Sequence, residues 1–164
     1  MTDDARTRTV TWTDPRVALP DLAALDGIEY LTRVRDGVLP PPPIASVFGM
    51  TFGDIEAGRF EVRCTPSEAF FNPLGMVHGG LACTMLDTAV GCATHTTLPA
   101  GTGYTSIDLE VKYLRPILPG NGELTAVGRV VKPGRRVVFA DAELRDASGA
   151  LLATATSSLL VLAR

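Results

Sequence analysis

The chain is short of several things, and each shortage excludes a class of protein. Its 164 residues include only three cysteines, Cys64, Cys83 and Cys92, an odd number with no CxxC spacing. That usage argues against a disulfide framework and fits a reducing compartment, where free cysteine behaves as a small core residue. Only two histidines occur, His78 and His95. They are spaced so that a helix would carry them on different faces, and no metal site is expected from them. Positive charge is also scarce: 15 Lys and Arg against 18 Asp and Glu leave a net charge of −3. Nothing in that balance favours nucleic acid or an anionic membrane as a partner. No apolar run reaches the roughly 18 residues of a membrane span. The N-terminal MTDDARTRT is polar and lacks the apolar stretch of a signal peptide, so the expected location is the cytoplasm.

What is present is ordinary in bulk: 46% apolar and 20% charged residues, enough for one domain with a substantial core. Residues 1 to 43 read as an N-terminal arm, and 44 to 164 as the main domain. Within the arm, residues 1 to about 20 show no periodicity. DGIEYLTRVRDG predicts one short helix: Asp26 and Glu29 make a capping-box pair, and Ile28, Leu31 and Val34 share a face. Gly37 suits its C-terminal stop. Pro40 to Pro43 then predicts an extended spacer.

From residue 47 onward the pattern changes. VFGMTFGDIEAG and GRFEVRCTPS read as two strands, and the loop SEAFFNPLG leads into a long apolar segment. YTSIDLEVKYL alternates, with Ile107, Leu109, Val111 and Tyr113 on one face, and predicts a single half-buried strand. ELTAVGRVV, VVFADAELRD and LLATATSSLLVL follow, separated by the turn signals PGNG, KPGR and DASG. Short turns between consecutive strands imply antiparallel pairing. The predicted order is strand, strand, long helix and four more strands, an α+β arrangement with a sheet packed on one helix.

That helix, from about His78 to Thr96, poses the central question. Residues 79 to 94 contain no Lys, Arg or Glu, yet Asp87 stands in their middle. A helix without a polar outer face must be covered nearly all round, and one sheet of this size would hardly do it, so a second subunit is expected to help. Thr84, Asp87, Thr88, Gly91, Thr94 and His95 fall on one stripe, a narrow polar seam. Asp87 is too deep in the helix for the N-terminal partial charge to explain it. It is either a structural acid, paired with an arginine or with backbone amides, or a general base or nucleophile in a pocket. The flanks favour the second reading. Asn72-Pro73 opens a turn, and His78-Gly79-Gly80 marks the helix start, where unshielded N–H groups can bind a carbonyl oxygen gaining negative charge.

The residues N-P-x-G-x-V-H-G-G, then L-D-x-A-x-G, then G-x-x-x-x-D-L-x-V-x-Y-L-R-P resemble the hotdog-fold acyl-CoA thioesterases of the PaaI-like family. The resemblance runs over about residues 44 to 162. It implies a six-stranded antiparallel sheet wrapped around one long helix, sheets paired edge to edge in a homodimer, and two dimers forming a tetramer. It also implies a dimer-interface site, an acyl-CoA substrate and no metal or other cofactor. By the same resemblance Asp87 activates water or attacks the thioester directly, the Gly79 amide polarises the carbonyl, and Asn72 assists. His78 would order the loop before the helix, and Ser106 would supply a hydroxyl to the acid and water.

Plainer roles stay open: His78 as a loop-fixing hydrogen bond, Asn72 as a turn cap. The coenzyme A phosphates call for basic groups, and Arg135-Arg136 in the KPGRR hairpin comes first, with Lys132 and Arg115 at strand ends behind it. Two other readings compete. A hotdog dehydratase or hydratase would place its His and acid differently, and a non-catalytic acyl-CoA-binding regulator would carry a DNA-binding module that residues 1 to 43 do not suggest. Phe70 and Phe71 suit an acyl pocket or the core equally.

Overall fold

A computed structural model describes residues 5–162. Two strands come first, β1 (Thr51–Glu56) and β2 (Arg59–Cys64). The long helix α4 (Gly79–His95) follows, after three shorter helices in the arm and its junction. Five further strand segments complete the sheet: β3 (Gly103–Ser106), β4 (Glu110–Tyr113), β5 (Leu124–Lys132), β6 (Val137–Arg145) and β7 (Leu151–Leu162). The spatial order is β1-β2-β5-β6-β7-β3, with β4 also paired to β7, and every pairing is antiparallel.

The sheet curls around α4 because its inward residues are large and apolar where the helix presents them with the same. Phe60, Val62, Leu124, Leu144, Leu152 and Leu159 meet Leu81, Met85, Leu86 and Val90, all at 2% exposure or less. Burying each such side chain contributes about 1.5–3 kcal/mol. Helix and sheet approach closely at Gly128 on β5, where a Cβ would lie 2.2 Å from the Ala89 carbonyl oxygen. Only glycine lets the strand sit so near the helix backbone.

The strand expected over 104–113 is corrected by the structure. It is two segments, so the sheet has seven strand segments on six positions instead of six strands. Ser106 pairs with Leu159 and Glu110 with Thr156, so β3–β4 uses one residue more than β7 over the same length. The break is held by β7: Ser158 N–H donates to Asp108 Oδ1 and the Ser157 hydroxyl to the Asp108 carbonyl. Such a bulge reverses which parity faces the core. Tyr104 and Ser106 face the helix before it, and Leu109, Val111 and Tyr113 do so after it. Ile107, expected inside, is 56% exposed.

The arm is also more structured than its one expected helix. A 3-10 turn, Pro15–Ala18, runs into α1 (Leu19–Ala24), then α2 (Gly27–Arg35). Proline at the first helical positions explains why a stretch without periodicity still turns helical. The expected α2 begins with Asp26 accepting from the Glu29 N–H, and buries Leu31 and Val34. At the junction a third helix, α3 (Pro43–Phe48), replaces the start of the strand expected from 47; Gly49, with φ +67°, ends it. Arg6 pairs with Glu68 at 2.9 Å and Arg8 lies over the Phe70 ring, so the chain before α1 rests on the loop leading to α4.

The arm closes one half of the barrel. Helix α2 bridges β1 and the C-terminal half of α4, and Gly27 donates to the Leu98 carbonyl at 3.1 Å. A Cβ on Gly27 would lie 1.7 Å from the His95 carbonyl oxygen. Residues 89 to 96 of α4 and its cap are therefore all buried, whereas Asp87 is exposed and Cys83, Thr84 and Thr88 are half-buried. The cover expected nearly all round the helix is missing at Asp87 in the single chain: the sheet and arm leave that face open.

Candidate active site

The loop before α4 is built by hydrogen bonds from its own turn residues. Asn72 Oδ1 accepts from the Leu74 and Met76 N–H groups at 2.9 and 3.2 Å, and Asn72 N–H donates to the Met76 carbonyl. Gly75 takes a φ of +76°, which a side chain would resist. His78 is the N-cap: its Nδ1 accepts from the Gly80 N–H at 2.8 Å. That places the ring proton on Nε2. The Gly79 N–H, by contrast, meets no acceptor among the described residues. It is a free donor at the positive end of a 17-residue helix.

Two turns along, the Ser106 hydroxyl donates to Asp87 Oδ1 at 2.8 Å. The bulge at Ile107–Leu109 is what aims Ser106 inward while β4 keeps its own apolar residues against the core. Neighbouring hydroxyls are committed to the helix itself: Thr84 donates to the Gly80 carbonyl and Thr88 to the Thr84 carbonyl, at 2.9 and 2.8 Å. The second oxygen of Asp87 has no donor among the described residues and faces the open side.

Tyr113 was not singled out from the sequence for this site, yet it lies against Gly79. Its hydroxyl donates to the Gly79 carbonyl at 3.0 Å and sits 2.9 Å from Cys83 Sγ. The Cys83 contact and then burial push the phenol up to about 12, so it stays a donor at neutral pH. Its alternating strand suggested only a core role, because the closeness to Gly79 comes from the sheet's curl.

A cleft of about 540 Å³ opens beside this helix start, lined by His78, Gly79, Gly80, Tyr113 and Arg115. Of the four basic candidates, Arg115 alone lines it. Arg135 lines a separate cleft with Thr97, Leu98 and Pro99 beyond the far end of α4. Lys132 and Arg136 flank that same hairpin, so the structure does not bring the four together within one chain. Among the described residues no three His, Cys, Asp or Glu side chains gather as a metal site would need, and no helix is long and apolar enough to cross a membrane.

A curled antiparallel sheet packed round one long helix is the architecture of the hotdog fold. The chain belongs to the thioesterase superfamily. The model of that family matches residues 74–153. Among solved structures, the phenylacetic acid degradation-related protein of Ralstonia eutropha JMP134 is 32% identical with a TM-score of 0.73, covering 80% of this chain and 98% of that one. A protein of Halobacterium salinarum named as an esterase is 36% identical over 103 residues, 60% of this chain and 66% of that one. Acyl-coenzyme A thioesterase 13 of Mus musculus is 31% identical over 87 residues, 52% of this chain and 61% of that protein. In both curated relatives the match spans less than two thirds of their length.

Proposed function

We propose that this protein hydrolyses acyl-CoA thioesters at a site assembled between two copies of the chain. The observation that carries the reading is the Ser106–Asp87 pair on the open half of α4, at 2.8 Å. A carboxylate fixed by one hydroxyl, with its other oxygen free, is equipped to take a proton from water or to attack a carbonyl carbon itself. In the first course Asp87 takes the proton of a water whose oxygen adds to the thioester carbon. The carbonyl oxygen gains negative charge against the Gly79 N–H, the C–S bond breaks, and the thiolate collects a proton. Asn72 holds the loop in register through its Oδ1 and keeps its amide N–H groups for the substrate. His78, through its cap on Gly80, sets the direction of the helix start.

Two copies are needed on geometric grounds. Gly79 and Asp87 are eight residues apart, about 12 Å of helix axis at 1.5 Å per residue, too far to flank one carbonyl. The β3–β4 edge supports an edge-to-edge dimer, since Ile107, Tyr113 and Leu114 there are 56%, 53% and 52% exposed. A partner across that edge would bring a second helix start towards Asp87. Arg115 in the Gly79 cleft is then the first choice for a coenzyme A phosphate, while Arg135, Arg136 and Lys132 would reach it only from the partner or through a pair of dimers.

The test is release of free thiol from a panel of aromatic and aliphatic acyl-CoAs, with Asp87→Ala alongside and the oligomer mass read by light scattering. Turnover by the wild type and not by the folded variant supports the reading. Tight acyl-CoA binding with no turnover would overturn it. Single turnover in oxygen-18 water separates the two courses, because label in Asp87 itself marks direct attack.

A further inference from the structure

Two adjacent glycines are the loosest backbone on which a helix can start, and here they carry the donor that the proposed chemistry needs. Four polar groups lie on the two peptide planes that meet at the Gly79 Cα: the His78 carbonyl, the Gly79 N–H, the Gly79 carbonyl and the Gly80 N–H. Three of them are tied. The His78 carbonyl accepts from the Leu81 N–H at 3.0 Å. The Gly80 N–H donates to His78 Nδ1 at 2.8 Å, and the Gly79 carbonyl accepts from the Tyr113 hydroxyl at 3.0 Å. A peptide unit is flat, so holding its N–H on one side and its C=O on the other restrains its rotation from both ends. The fourth group, the Gly79 N–H, is the one left for a ligand.

Two of these ties are local to the helix start, and the third comes from the sheet. Tyr113 stands 34 residues along the chain, and its hydroxyl reaches the carbonyl only because residue 79 has no side chain. A Cβ there would lie 2.8 Å from the phenol oxygen and 3.0 Å from the ring carbon that bears it. A hydroxyl has one proton to give. With that proton on the Gly79 carbonyl, the Cys83 thiol, 2.9 Å away, donates to the phenol oxygen and holds the hydroxyl in one orientation. The same stretch grips the chain just before His78, where the Val77 N–H donates to the Ile117 carbonyl at 3.0 Å. Tyr113 and Ile117 also line the cleft that opens at Gly79. Packing alone would need only the tyrosine ring; the hydroxyl adds a grip on one carbonyl.

We propose that Tyr113 is a positioning residue: its hydroxyl, through the Gly79 carbonyl, fixes the direction of the Gly79 N–H, the donor for the oxygen of the reacting thioester. The inference rests on the thioesterase reading above. In this role Tyr113 touches no reacting atom. Its effect falls on the transition state, whose charged oxygen needs the donor in line, more than on the bound substrate.

The experiment compares wild type with Tyr113→Phe, which keeps the ring and removes one hydroxyl, on the acyl-CoA that wild type turns over best. Tyr113→Phe is expected to lower kcat about tenfold with KM close to wild type, short of the roughly 10²–10³ that follows outright loss of such a donor. Binding of two analogues gives a readout that packing would not move. Trifluoroacetonyl-CoA carries a ketone that adds the attacking oxygen and becomes a charged tetrahedral adduct; propyl-CoA has no oxygen there. Tyr113→Phe should bind the ketone about tenfold more weakly and the thioether as wild type does, because only the first draws on the aimed donor. An unchanged kcat, or equal weakening of both analogues, overturns the inference. If wild type hydrolyses no acyl-CoA, the thioesterase reading fails separately. Amide nitrogen relaxation then decides the clamp: greater motion at Gly79 in Tyr113→Phe supports it, and equal motion overturns it.

Discussion

The two halves of α4 are both built mostly of small and apolar residues, yet their environments are opposite. From Ala89 onward the helix is buried on every side by sheet and arm; before it, Cys83, Thr84, Asp87 and Thr88 look outward. The closed half holds groups whose chemistry is suppressed. Burial raises the Cys92 thiol to about 12 and the Cys64 thiol in the core to about 11, so neither ionises near neutrality. The open half holds the one carboxylate of the helix, with a hydroxyl on one oxygen and space at the other. The difference teaches that an apolar helix face does not by itself mean a core face. Within the single chain nothing covers the outward face of the first half, and the acid sits on that face.

The comparison breaks hardest at Asp87. Since it is exposed in the chain, Asp87→Ala should cost no folding stability, while hydrolysis falls at least about a hundredfold, as expected for loss of the reacting base. A folded Asp87→Ala that retains a tenth of the wild-type rate would remove the acid from the mechanism.

Opening the closed half is the next test. Gly27→Ala puts a methyl into the His95 carbonyl and should unseat α2 at a cost of about 1–3 kcal/mol. At roughly 2–4 °C per kcal/mol, the melting temperature should fall by several degrees, and the arm should become sensitive to protease. An unchanged melting curve would mean the arm is not clamped to the helix.

A milder change sharpens the open half. Ser106→Ala removes the hydrogen bond to a charged acceptor, worth about 1.5 kcal/mol at the low end, and should slow turnover about tenfold without moving KM much. If Ser106→Ala turned over like the wild type, the hydroxyl would be packing only.

The smallest expected effect is on pH. Desolvation holds His95 below its ordinary 6.5, with the Asp26 charge opposing. The unfolded chain then binds the proton more readily, so stability should decline as pH falls below 6.5 and level off beneath the folded pKa. His95→Phe should flatten that slope in denaturant titrations between pH 7 and 5; an equal slope in both would assign it to other groups.

Much of this was legible beforehand because it depends on local pattern. The bounds of α4 followed from His78-Gly79-Gly80 and the apolar run, and the antiparallel order from the turn signals. The family resemblance pointed to Asp87, Gly79 and Ser106 as site residues, and the structure brings the Ser106 hydroxyl onto Asp87. The bulge was not legible: YTSIDLEVKYL alternates without a flaw, and only the hydrogen bonds of Asp108 to β7 show where the extra residue goes. Nor was α1, which lies in a stretch without periodicity and whose single proline, Pro20, falls at the helix start. The face of Tyr113 was legible from the alternation, but not its closeness to Gly79, which the curl of the sheet brings about across 34 residues.

The amino-acid order by itself determined most of the elements, the family and the candidate acid, because capping, periodicity and turn chemistry act within a few residues. Only the tertiary structure decided which half of the helix is closed. Gly27 against His95 and Gly128 against Ala89 are contacts between segments far apart in the chain, and a backbone's closeness to another backbone leaves no periodic trace in sequence.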